Sequence, residues 1–362
     1  MRILQVINSL GTGGAEKLLL DSIPLYHEKG LQMDILLLNG KEYPFLKKLY
    51  ETNTCDIISL GEGSVYNPFH IFKIIKHLKK YDIVHVHLFP ALYWVAFARM
   101  FSFSKIKLVY TEHCTTNRRM QNFFLKMLDN FIYSFYHKII CISYEVEIEI
   151  KKHVSMHPNA FVLINSGVNV TKIFNETKYN KSELGLNINE NDRIIIQVSR
   201  FQVQKDQPTL IKAMKHLPDN VKLLLIGEGE LKQQNIELAK ELLLTDRVHF
   251  LGVRMDVSKL LKTADIVVLS THFEGLSLSS IEGLASGKPF LASEAPGLIE
   301  IVNNAGIMFP IGDDVELANQ IKKLLEDKDY YDATVNKCLT RAKEYDINTM
   351  VEKHIDLYES LI

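Results

Sequence analysis

The sequence predicts an α/β protein of two open, doubly wound, Rossmann-like domains that face each other across a cleft. The chain has 362 residues, which exceeds the usual size of one domain and suffices for two full cores. Short apolar runs rich in Ile, Val and Leu alternate with longer amphipathic stretches, as expected for parallel strands that are buried on both faces. This pattern occurs twice, and a polar, charged stretch from 175 to 193 separates the two series.

Each apolar run predicts one strand. The first series is RILQVI (2–7), MDILLLN (33–39), DIVHVH (82–87), IKLVYTEH (106–113), KIICIS (138–143) and FVLINSG (161–167). The second series is RIIIQVS (193–199), VKLLLIG (221–227), VHFLG (248–252), DIVVLS (265–270), KPFLAS (288–293) and GIMFPIG (306–312). Ligands of open parallel sheets bind at the carboxyl ends of the strands, so the segments that follow these runs are where a site is expected.

The composition argues against several classes of function. The formal net charge is -1 and the pI is about 6.9, so no global positive field predicts a nucleic-acid partner. The cysteines form no C-x-x-C pair, which favours reduced structural thiols in a cytosol. The start MRILQVINS turns polar too early for a signal peptide, and the longest apolar run, 89–103, is too short to span a bilayer and contains Arg99. Neither export nor a membrane-spanning helix is expected.

A glycine-rich turn follows the first strand. GTGGAEK opens a helix, where backbone N–H groups and the helix dipole can hold an anion. The dinucleotide fingerprint G-x-G-x-x-G fails, because Glu16 stands at its third glycine and Asn39 and Gly40 end the second strand in place of an acid. A tight strand-to-helix turn without a ligand explains this segment about equally well.

Two segments of the second series carry candidate ligand contacts. SRFQVQKD places Arg200 and Lys205 just beyond a buried strand, where two cations could meet a diphosphate, although a solvated surface is the alternative. GEGEL offers Gly227 and Gly229, which have no side chains and could admit a flat base or ribose. The same glycines could also form a simple turn into the next helix.

Two glutamates separated by seven residues lie in EGLSLSSIEGLASGKP. Glu274 lies in the loop after the strand DIVVLS, and Glu282 lies in a helix that is expected to begin at Ser277 or Ser279. With Ser279 as the N-cap, Glu282 would complete a capping box, which is a purely structural role. Alternatively, the loop presents Glu274 to sugar hydroxyls and backbone amides to phosphate oxygens, and Glu282 meets a ribose diol.

Histidines and aspartates supply no convincing metal site. His85 and His87 face one side of a buried strand, but two histidines without a third ligand do not define a site for a metal. His113 follows a strand, where active-site groups of such sheets lie, and a hydrogen-bonded core histidine is an equally good interpretation. Asp327 and Asp329 lie in a polar stretch between C-terminal helices, so a surface position is favoured over metal–nucleotide binding.

Together these segments resemble the large family of retaining GT-B glycosyltransferases (glycosyl transferases group 1, glycosyltransferase family 4-like), whose hallmark is a Glu, seven residues and a Glu, here Glu274 and Glu282. The resemblance covers nearly the whole chain. GTGGAEK is similar to the family's glycine loop, DIVHVH to its strand before the acceptor-side helix, INSGVN to its Asn-Gly-Val link and VSRFQVQKDQPTLIKAM to its phosphate-binding segment. It implies an acceptor-side domain at 1–175, joined by a C-terminal helix at 344–362, and a donor-binding domain at 190–343.

The resemblance also implies a role for each site residue. Arg200 and Lys205 would bind the donor diphosphate, and Glu282 would bind the ribose hydroxyls. Glu274 would contact hydroxyls of the donor sugar, and His113 would touch that sugar close to its anomeric carbon. Further contacts would come from Gly275, Leu276, Ser277 and Leu278 (amides to sugar and phosphate), Gly13 and Gly14 (phosphates), Gly227 (base or ribose) and Leu251 (base). Cys114 stands where the family often has an aspartate, so the role of that aspartate does not carry over.

The implied reaction is a same-face displacement in which the leaving phosphate oxygen takes the proton of the acceptor. The protein mostly positions the reactants and stabilises charge. Arg200, Lys205 and helix N-termini would neutralise the diphosphate, so no divalent metal and no other cofactor is expected. The expected donor is a UDP- or GDP-sugar, the acceptor is a saccharide or a lipid-linked saccharide, and the setting is bacterial surface polysaccharide synthesis in the cytoplasm.

The stretch 101–138 predicts contact with the inner face of the membrane. It holds six Lys or Arg, two acids and nine Phe or Tyr, a composition that suits an anionic bilayer. A covered core edge with a solvated basic face is the alternative.

Two other functions share the expected architecture. A nucleotide-sugar 2-epimerase would need acid/base carboxylates and a basic cluster for the eliminated UDP, and a catalytically silent protein would only bind the nucleotide. A sugar dehydrogenase is disfavoured by Glu16. Incubation with UDP- and GDP-sugars in the absence of an acceptor would separate these functions.

Overall fold

The computed structural model describes residues 1–114 and 122–362, which divide into two compact units. The first unit contains residues 1–167 and 347–362, and the second contains residues 168–346. In both units, parallel strands alternate with helices along the chain. The predicted class, two Rossmann-like α/β domains, is therefore confirmed.

The first unit is built on one parallel sheet. Its strands are β1 (Arg2–Ile7), β2 (Gln32–Leu37), β3 (Ile57–Ser59), β4 (Ile83–His87), β5 (Lys107–Glu112), β6 (Lys138–Cys141) and β7 (Phe161–Leu163). Its helices before residue 168 are α1 (Gly14–Glu28), α2 (Pro44–Thr52), α3 (His70–Leu78), α4 (Ala91–Ser102), α5 (Phe123–Tyr133) and α6 (Tyr144–His153). The strand order is β3-β2-β1-β4-β5-β6-β7, so the order reverses between β1 and β4.

The second unit repeats this plan. Its strands are β8 (Arg193–Val198), β9 (Val221–Ile226), β10 (Val248–Phe250), β11 (Ile266–Leu269), β12 (Phe290–Ser293) and β13 (Ile307–Phe309). Its helices are α7 (Val170–Asn175), α8 (Gln207–Ala213), α9 (Lys232–Glu241), α10 (Val257–Thr263), α11 (Leu278–Ala285), α12 (Ile299–Val302), α13 (Asp314–Glu326) and α14 (Lys328–Lys343). The strand order is β10-β9-β8-β11-β12-β13, with the reversal between β8 and β11.

The last helix, α15 (Ile347–Glu359), returns to the first unit. Its buried face includes Met350, Val351, His354 and Tyr358, and the ring of Tyr358 lies 6.4 Å from that of Tyr26 in α1. None of the described helices is long and apolar enough to cross a membrane.

The apolar runs form the cores because a strand covered by helices on both faces has to be apolar at successive positions. Each predicted run overlaps a strand of the structure. The strand β3 was not predicted, because its three residues lie at the sheet edge and are half-buried or exposed. Residues 175–193 were predicted to connect two domains, but the chain around them packs into the second unit, where Ile173 and Ile188 share a core with Ile194 and Ile196.

Candidate active site

The switch point of the second sheet carries most of the predicted donor-binding residues. β8 and β11 are hydrogen-bonded neighbours, and the strand order reverses between them. Beyond their carboxyl ends lie the segments 199–206 and 270–278. Open parallel sheets bind ligands at such a point, because the connecting loops diverge there and leave a crevice.

Lys205 and Glu274 form a buried ion pair at this point. Lys205 Nζ donates to Glu274 Oε1, and the side chains are only 13% and 7% exposed. Gln204 Nε2 donates to the carbonyl of Phe273 at 2.7 Å and to Glu274 Oε2 at 3.4 Å. Lys205, which is predicted to bind the diphosphate, and Glu274, which is predicted to contact the sugar, are thus in direct contact. Each side chain compensates the charge of the other.

Backbone contacts hold the two segments together. Lys205 and Thr271 form an isolated antiparallel bridge, and Thr271 Oγ1 donates to the carbonyl of Gln204 at 2.9 Å. The Glu274 N–H donates to the carbonyl of Pro296 at 2.9 Å. The next residue, Gly297, has a φ of +79°, and a Cβ at this position would lie 2.1 Å from the carbonyl oxygen of Glu274. Only glycine lets the two backbones approach this closely.

Glu282 lies inside α11 and takes no part in capping it. Ser277 is the N-cap, and its side chain accepts from the backbone N–H of Ser280. The position three residues after the cap is therefore Ser280, and the capping box of Ser279 with Glu282 is ruled out. Glu282 is 5% exposed, in a helix whose Gly283 packs against Phe290. With the capping role ruled out, the binding of ribose hydroxyls by Glu282 stays a prediction.

Arg200 and the glycines after β9 complete the predicted donor side. Arg200 is exposed. A Cβ at Gly227 would lie 2.1 Å from the Ser199 carbonyl oxygen, so this glycine, with φ +137°, is required by the neighbouring backbone whether or not a ligand binds. The Leu251 N–H donates to the carbonyl of Leu225 at 2.9 Å. A contact of Leu251 with a base would therefore use its carbonyl group.

The first unit holds the remaining predicted residues at the ends of its own strands. Gly13 is the N-cap of α1, with an extended backbone (φ -90°, ψ 173°), and Gly14 begins the helix. The 15-residue helix α1 directs the N–H groups of its first turn and the positive end of its dipole to this turn. The turn follows β1, which borders the reversal of strand order.

His113 follows β5 and is hydrogen-bonded within the first unit. Its Nε2 lies 3.1 Å from Nδ1 of His87, whose Nε2 lies 2.7 Å from Oε1 of Gln5. Burial lowers the pKa of His113 to about 4, so the imidazole is neutral at pH 7. His85 is also hydrogen-bonded through both nitrogens, to Tyr358 and Thr111, each at 2.6 Å. Within residues 1–114 and 122–362, no group of three or more His, Cys, Asp or Glu is arranged to hold a metal ion.

The sequence did not predict the residues that hold the site side chains in place by hydrogen bonds. Gln204 precedes Lys205 in a segment that drew attention only for its charges. Gln5 and Tyr358 lie in β1 and α15, far from His87 in the sequence, so no local pattern could have connected them. A buried glutamine inside the apolar run RILQVI was the available signal, because a buried amide requires partners.

Two family models match most of the chain between them. Glycosyltransferase Family 4 matches residues 12–172, and Glycosyl transferases group 1 matches residues 180–343. A relative from Campylobacter jejuni, N-acetylgalactosamine-N,N'-diacetylbacillosaminyl-diphospho-undecaprenol 4-alpha-N-acetylgalactosaminyltransferase, is 27% identical over 360 residues, which cover 94% of both chains. Another C. jejuni relative, N,N'-diacetylbacillosaminyl-diphospho-undecaprenol alpha-1,3-N-acetylgalactosaminyltransferase, is 28% identical over 248 residues, 66% of this chain and 65% of that protein.

Solved structures of glycosyltransferases share the fold of this chain. HepE of Anabaena, in complex with UDP and glucose, matches with a TM-score of 0.84 at 22% identity, covering 99% of this chain and 100% of that chain. WaaG, a glycosyltransferase involved in lipopolysaccharide biosynthesis, matches with a TM-score of 0.74 at 18% identity, covering 98% and 99%. The fold and the family matches define the class: this protein is a glycosyltransferase with the GT-B fold. Within that class, residues 12–172 match Glycosyltransferase Family 4 and residues 180–343 match Glycosyl transferases group 1.

Proposed function

We propose that the protein is a retaining glycosyltransferase that moves a sugar from a nucleoside-diphosphate sugar to a lipid-linked saccharide in bacterial surface polysaccharide synthesis. The observation that carries the proposal is the buried Lys205–Glu274 pair at the switch point of the second sheet, with Arg200 in the same segment as Lys205. Cations suit a diphosphate, and a carboxylate suits sugar hydroxyls. The pair offers both chemistries at adjacent positions, as a nucleotide sugar requires.

Binding of the donor would exchange the partners of this pair. The diphosphate would compete for the ammonium group of Lys205, and the sugar hydroxyls would donate to the carboxylate of Glu274. Because each side chain is already held in place by the other and by Gln204, little conformational freedom is lost when the donor arrives. Glu282 would accept from the ribose hydroxyls, and the amides before and within the first turn of α11 would face phosphate oxygens.

Transfer with retention then proceeds on one face of the sugar. The bond from the anomeric carbon to the leaving phosphate oxygen breaks, and a bond to the acceptor hydroxyl oxygen forms on the same side. The leaving phosphate oxygen takes the proton of the acceptor. Lys205 and Arg200 stabilise the charge that grows on the diphosphate, so the proposed reaction requires no divalent metal.

Relatives favour a UDP-sugar and a polyprenyl-linked acceptor. Both C. jejuni relatives are named for acceptors that contain diphospho-undecaprenol. A relative from Escherichia coli, 27% identical over 81% of this chain, is named UDP-Gal:alpha-D-GlcNAc-diphosphoundecaprenol alpha-1,3-galactosyltransferase. We therefore favour UDP-sugars over GDP-sugars as donors, and a diphosphate-linked lipid over a free saccharide as the acceptor.

A lipid-linked acceptor calls for contact with the membrane, and the first unit offers a suitable surface. We define the aromatic face as Phe101, Phe103, Phe123, Phe124 and Met127, which lie at the end of α4 and in α5 and are 54–92% exposed. Glu112 and Asp129, the two acids of the stretch 101–138, are buried, whereas Lys105 and Lys126 are exposed. Arg118 and Arg119 lie outside the described residues. Exposed aromatic rings together with exposed cations favour the cytoplasmic surface of an anionic bilayer.

Turnover of donors without an acceptor tests the proposed function. The protein is incubated with a panel of UDP- and GDP-sugars, and the products are separated. Slow release of the free sugar with the α-configuration of the donor, together with UDP, supports a retaining transferase. Formation of a 2-epimer indicates an epimerase, and binding without turnover indicates a silent nucleotide-binding protein; either result would refute the proposal.

A further inference from the structure

A continuous chain of hydrogen bonds runs through the first unit from His113 to Thr111. Its links are His113 Nε2 to His87 Nδ1 (3.1 Å), His87 Nε2 to Gln5 Oε1 (2.7 Å), Gln5 Nε2 to Tyr358 Oη (3.4 Å), Tyr358 Oη to His85 Nδ1 (2.6 Å) and His85 Nε2 to Thr111 Oγ1 (2.6 Å). Apart from His113, every member is at most 2% exposed. Water therefore has little access with which to replace any of these partners.

The amide of Gln5 sets the direction of the chain. Its Oε1 can only accept, so His87 Nε2 has to carry a proton, and the neutral ring of His87 then has its lone pair at Nδ1. That lone pair can only accept, so the proton between the two rings belongs to His113 Nε2. On the other side, the amide nitrogen of Gln5 donates to Tyr358 and to the sulfur of Met33, the latter at 3.3 Å, which fixes the orientation of the amide.

The far half of the chain agrees with this direction. The Tyr358 hydroxyl accepts from Gln5 and donates to His85 Nδ1, which leaves the proton of His85 on Nε2, where it is donated to Thr111. Burial lowers the pKa of His85 and of His87 well below the ordinary value, and it lowers that of His113 to about 4. All three rings are therefore neutral at pH 7, as the alternation of donor and acceptor requires.

We propose that Gln5 and His87 are positioning residues that hold His113 as the Nε2–H tautomer, so that its Nδ1 presents a lone pair to a hydroxyl group of the donor sugar. Among the described residues, no hydrogen bond is made at His113 Nδ1. His113 is thus a hydrogen-bond acceptor rather than a proton donor towards the sugar. This inference rests on the proposed function and on the contact of His113 with the donor sugar that the family resemblance implies.

The tautomer can be measured without any substrate. In protein labelled with ¹⁵N-histidine, long-range ¹H–¹⁵N spectra at pH 7.5 distinguish a protonated ring nitrogen from one with a lone pair, and the loss of one ring in His113→Asn assigns the signals. We expect the Nε2–H form at His113 in the unmodified protein. A His113 that carries its proton on Nδ1, or an even mixture of the two tautomers, would overturn the proposal.

Two buried substitutions separate positioning from general packing. Gln5→Met removes the acceptor that orients His87, so the His113 signals should shift towards a mixture of tautomers. Thr111→Val removes the acceptor at the opposite end and leaves the links from Gln5 to His113 in place, so His113 should keep its tautomer. The proposal fails if both variants fold and change His113 equally. If Gln5→Met does not fold, the spectrum of the unmodified protein still decides.

Activity then tests the contact with the sugar. His113→Asn can place an amide oxygen near the former Nδ1 atom, whereas His113→Gln places its amide near the former Nε2 atom. One hydrogen bond is worth about 0.5–1.5 kcal/mol, so kcat for donor hydrolysis should be up to about tenfold higher in His113→Asn than in His113→Gln. Equal kcat values, or a better His113→Gln, would refute the sugar contact. If the unmodified protein turns over no nucleotide sugar, the proposed function fails, and the tautomer result stands separately.

Discussion

At the residue scale, the pairing of Lys205 with Glu274 determines how each side chain should respond to substitution. Both groups are almost removed from water, so each charge depends on the other for compensation. Removal of one charge should therefore change the site in two ways: the proposed ligand contact is lost, and the remaining partner becomes available. These two effects act on different steps, which makes them separable by experiment.

The two glutamates should give opposite phenotypes when each is changed to glutamine. Glu274→Gln should lower kcat by about tenfold or more, because its proposed partner is the reacting sugar, and should leave UDP affinity unchanged or tighter, because Lys205 would be released for the diphosphate. Glu282→Gln should weaken UDP binding by about tenfold through the ribose. Steady-state kinetics and calorimetric titration with UDP measure both quantities.

Ser277→Ala provides the matched structural control for Glu282→Gln. Loss of the N-cap of α11 should lower the free energy of unfolding by about 1 kcal/mol, whereas Glu282→Gln should change it much less. If Glu282→Gln lowers only the melting temperature and spares UDP affinity, Glu282 packs the helix and binds no ribose. An exchange of the two glutamate phenotypes would contradict the assignment of roles.

At the element scale, the loop that carries Glu274 depends on its close approach to Gly297. Gly297→Ala should displace this loop and lower kcat at least tenfold, because its Cβ would overlap the Glu274 carbonyl. Gly312 has the same φ of +79°, and a Cβ added there would meet no atom within 4 Å, so Gly312→Ala carries the backbone strain alone, about 1–2 kcal/mol. Unfolding in urea and donor hydrolysis compare the two variants, and equal activity losses would show that strain alone is responsible.

The strands could be predicted from the sequence because burial on both faces leaves a local record of consecutive apolar residues. The short edge strand β3 has no such run, since it has a single neighbouring strand and its residues are half-buried or exposed. The Lys205–Glu274 pair joins residues 69 positions apart, and only the parallel pairing of β8 with β11 brings them together. The sequence showed that both residues are charged and that both follow a strand, but it could not predict their contact.

At the scale of the whole molecule, acid should unfold the first unit before the second. The pKa is lowered by burial for His70, His77, His85, His87, His113, His137 and His354 of the first unit, to about 4 for His113 and His137 and about 3 for His354. Below pH 6.5 the unfolded chain binds more protons than the folded one, so stability is complete above that pH and is lost as the pH falls towards 4.

Fluorescence can follow this transition selectively. The sequence contains one tryptophan, Trp94, which lies in α4 of the first unit and donates to the carbonyl of Val65 at 2.8 Å. As the pH is lowered, the emission of Trp94 should change first. The part of the far-UV circular dichroism signal that comes from the second unit should be lost only at a lower pH. Coincident transitions, or a Trp94 signal that is constant down to pH 4, would contradict the prediction.

The aromatic face should bind anionic membranes in a salt-sensitive manner. Liposomes that contain phosphatidylglycerol should sediment the protein at low ionic strength, and high salt should weaken this binding because the cations act through a screened field. The double substitution Phe123→Ser and Phe124→Ser should reduce binding, whereas Leu243→Ser, at a position that is 89% exposed in the second unit, should not. Liposome binding that changes neither with salt nor with the two phenylalanine substitutions would favour a soluble acceptor.

We propose that cations of the protein, and not a metal ion, hold the donor diphosphate, and UDP binding by Lys205→Ala in the presence of EDTA is the decisive test. A charge-assisted hydrogen bond contributes about 1.5–3 kcal/mol, so UDP affinity should fall roughly 10- to 150-fold while uridine affinity barely changes. Lys215→Ala, which removes an exposed charge from the same unit, should bind UDP normally. The double variant with Glu274→Gln removes the carboxylate that Lys205→Ala leaves unpaired.

We predict that the double variant also binds UDP weakly, and that the unmodified enzyme hydrolyses its donor in EDTA. Normal UDP binding by Lys205→Ala, or activity that disappears in EDTA and returns with magnesium or manganese, would show that the diphosphate is held in another way.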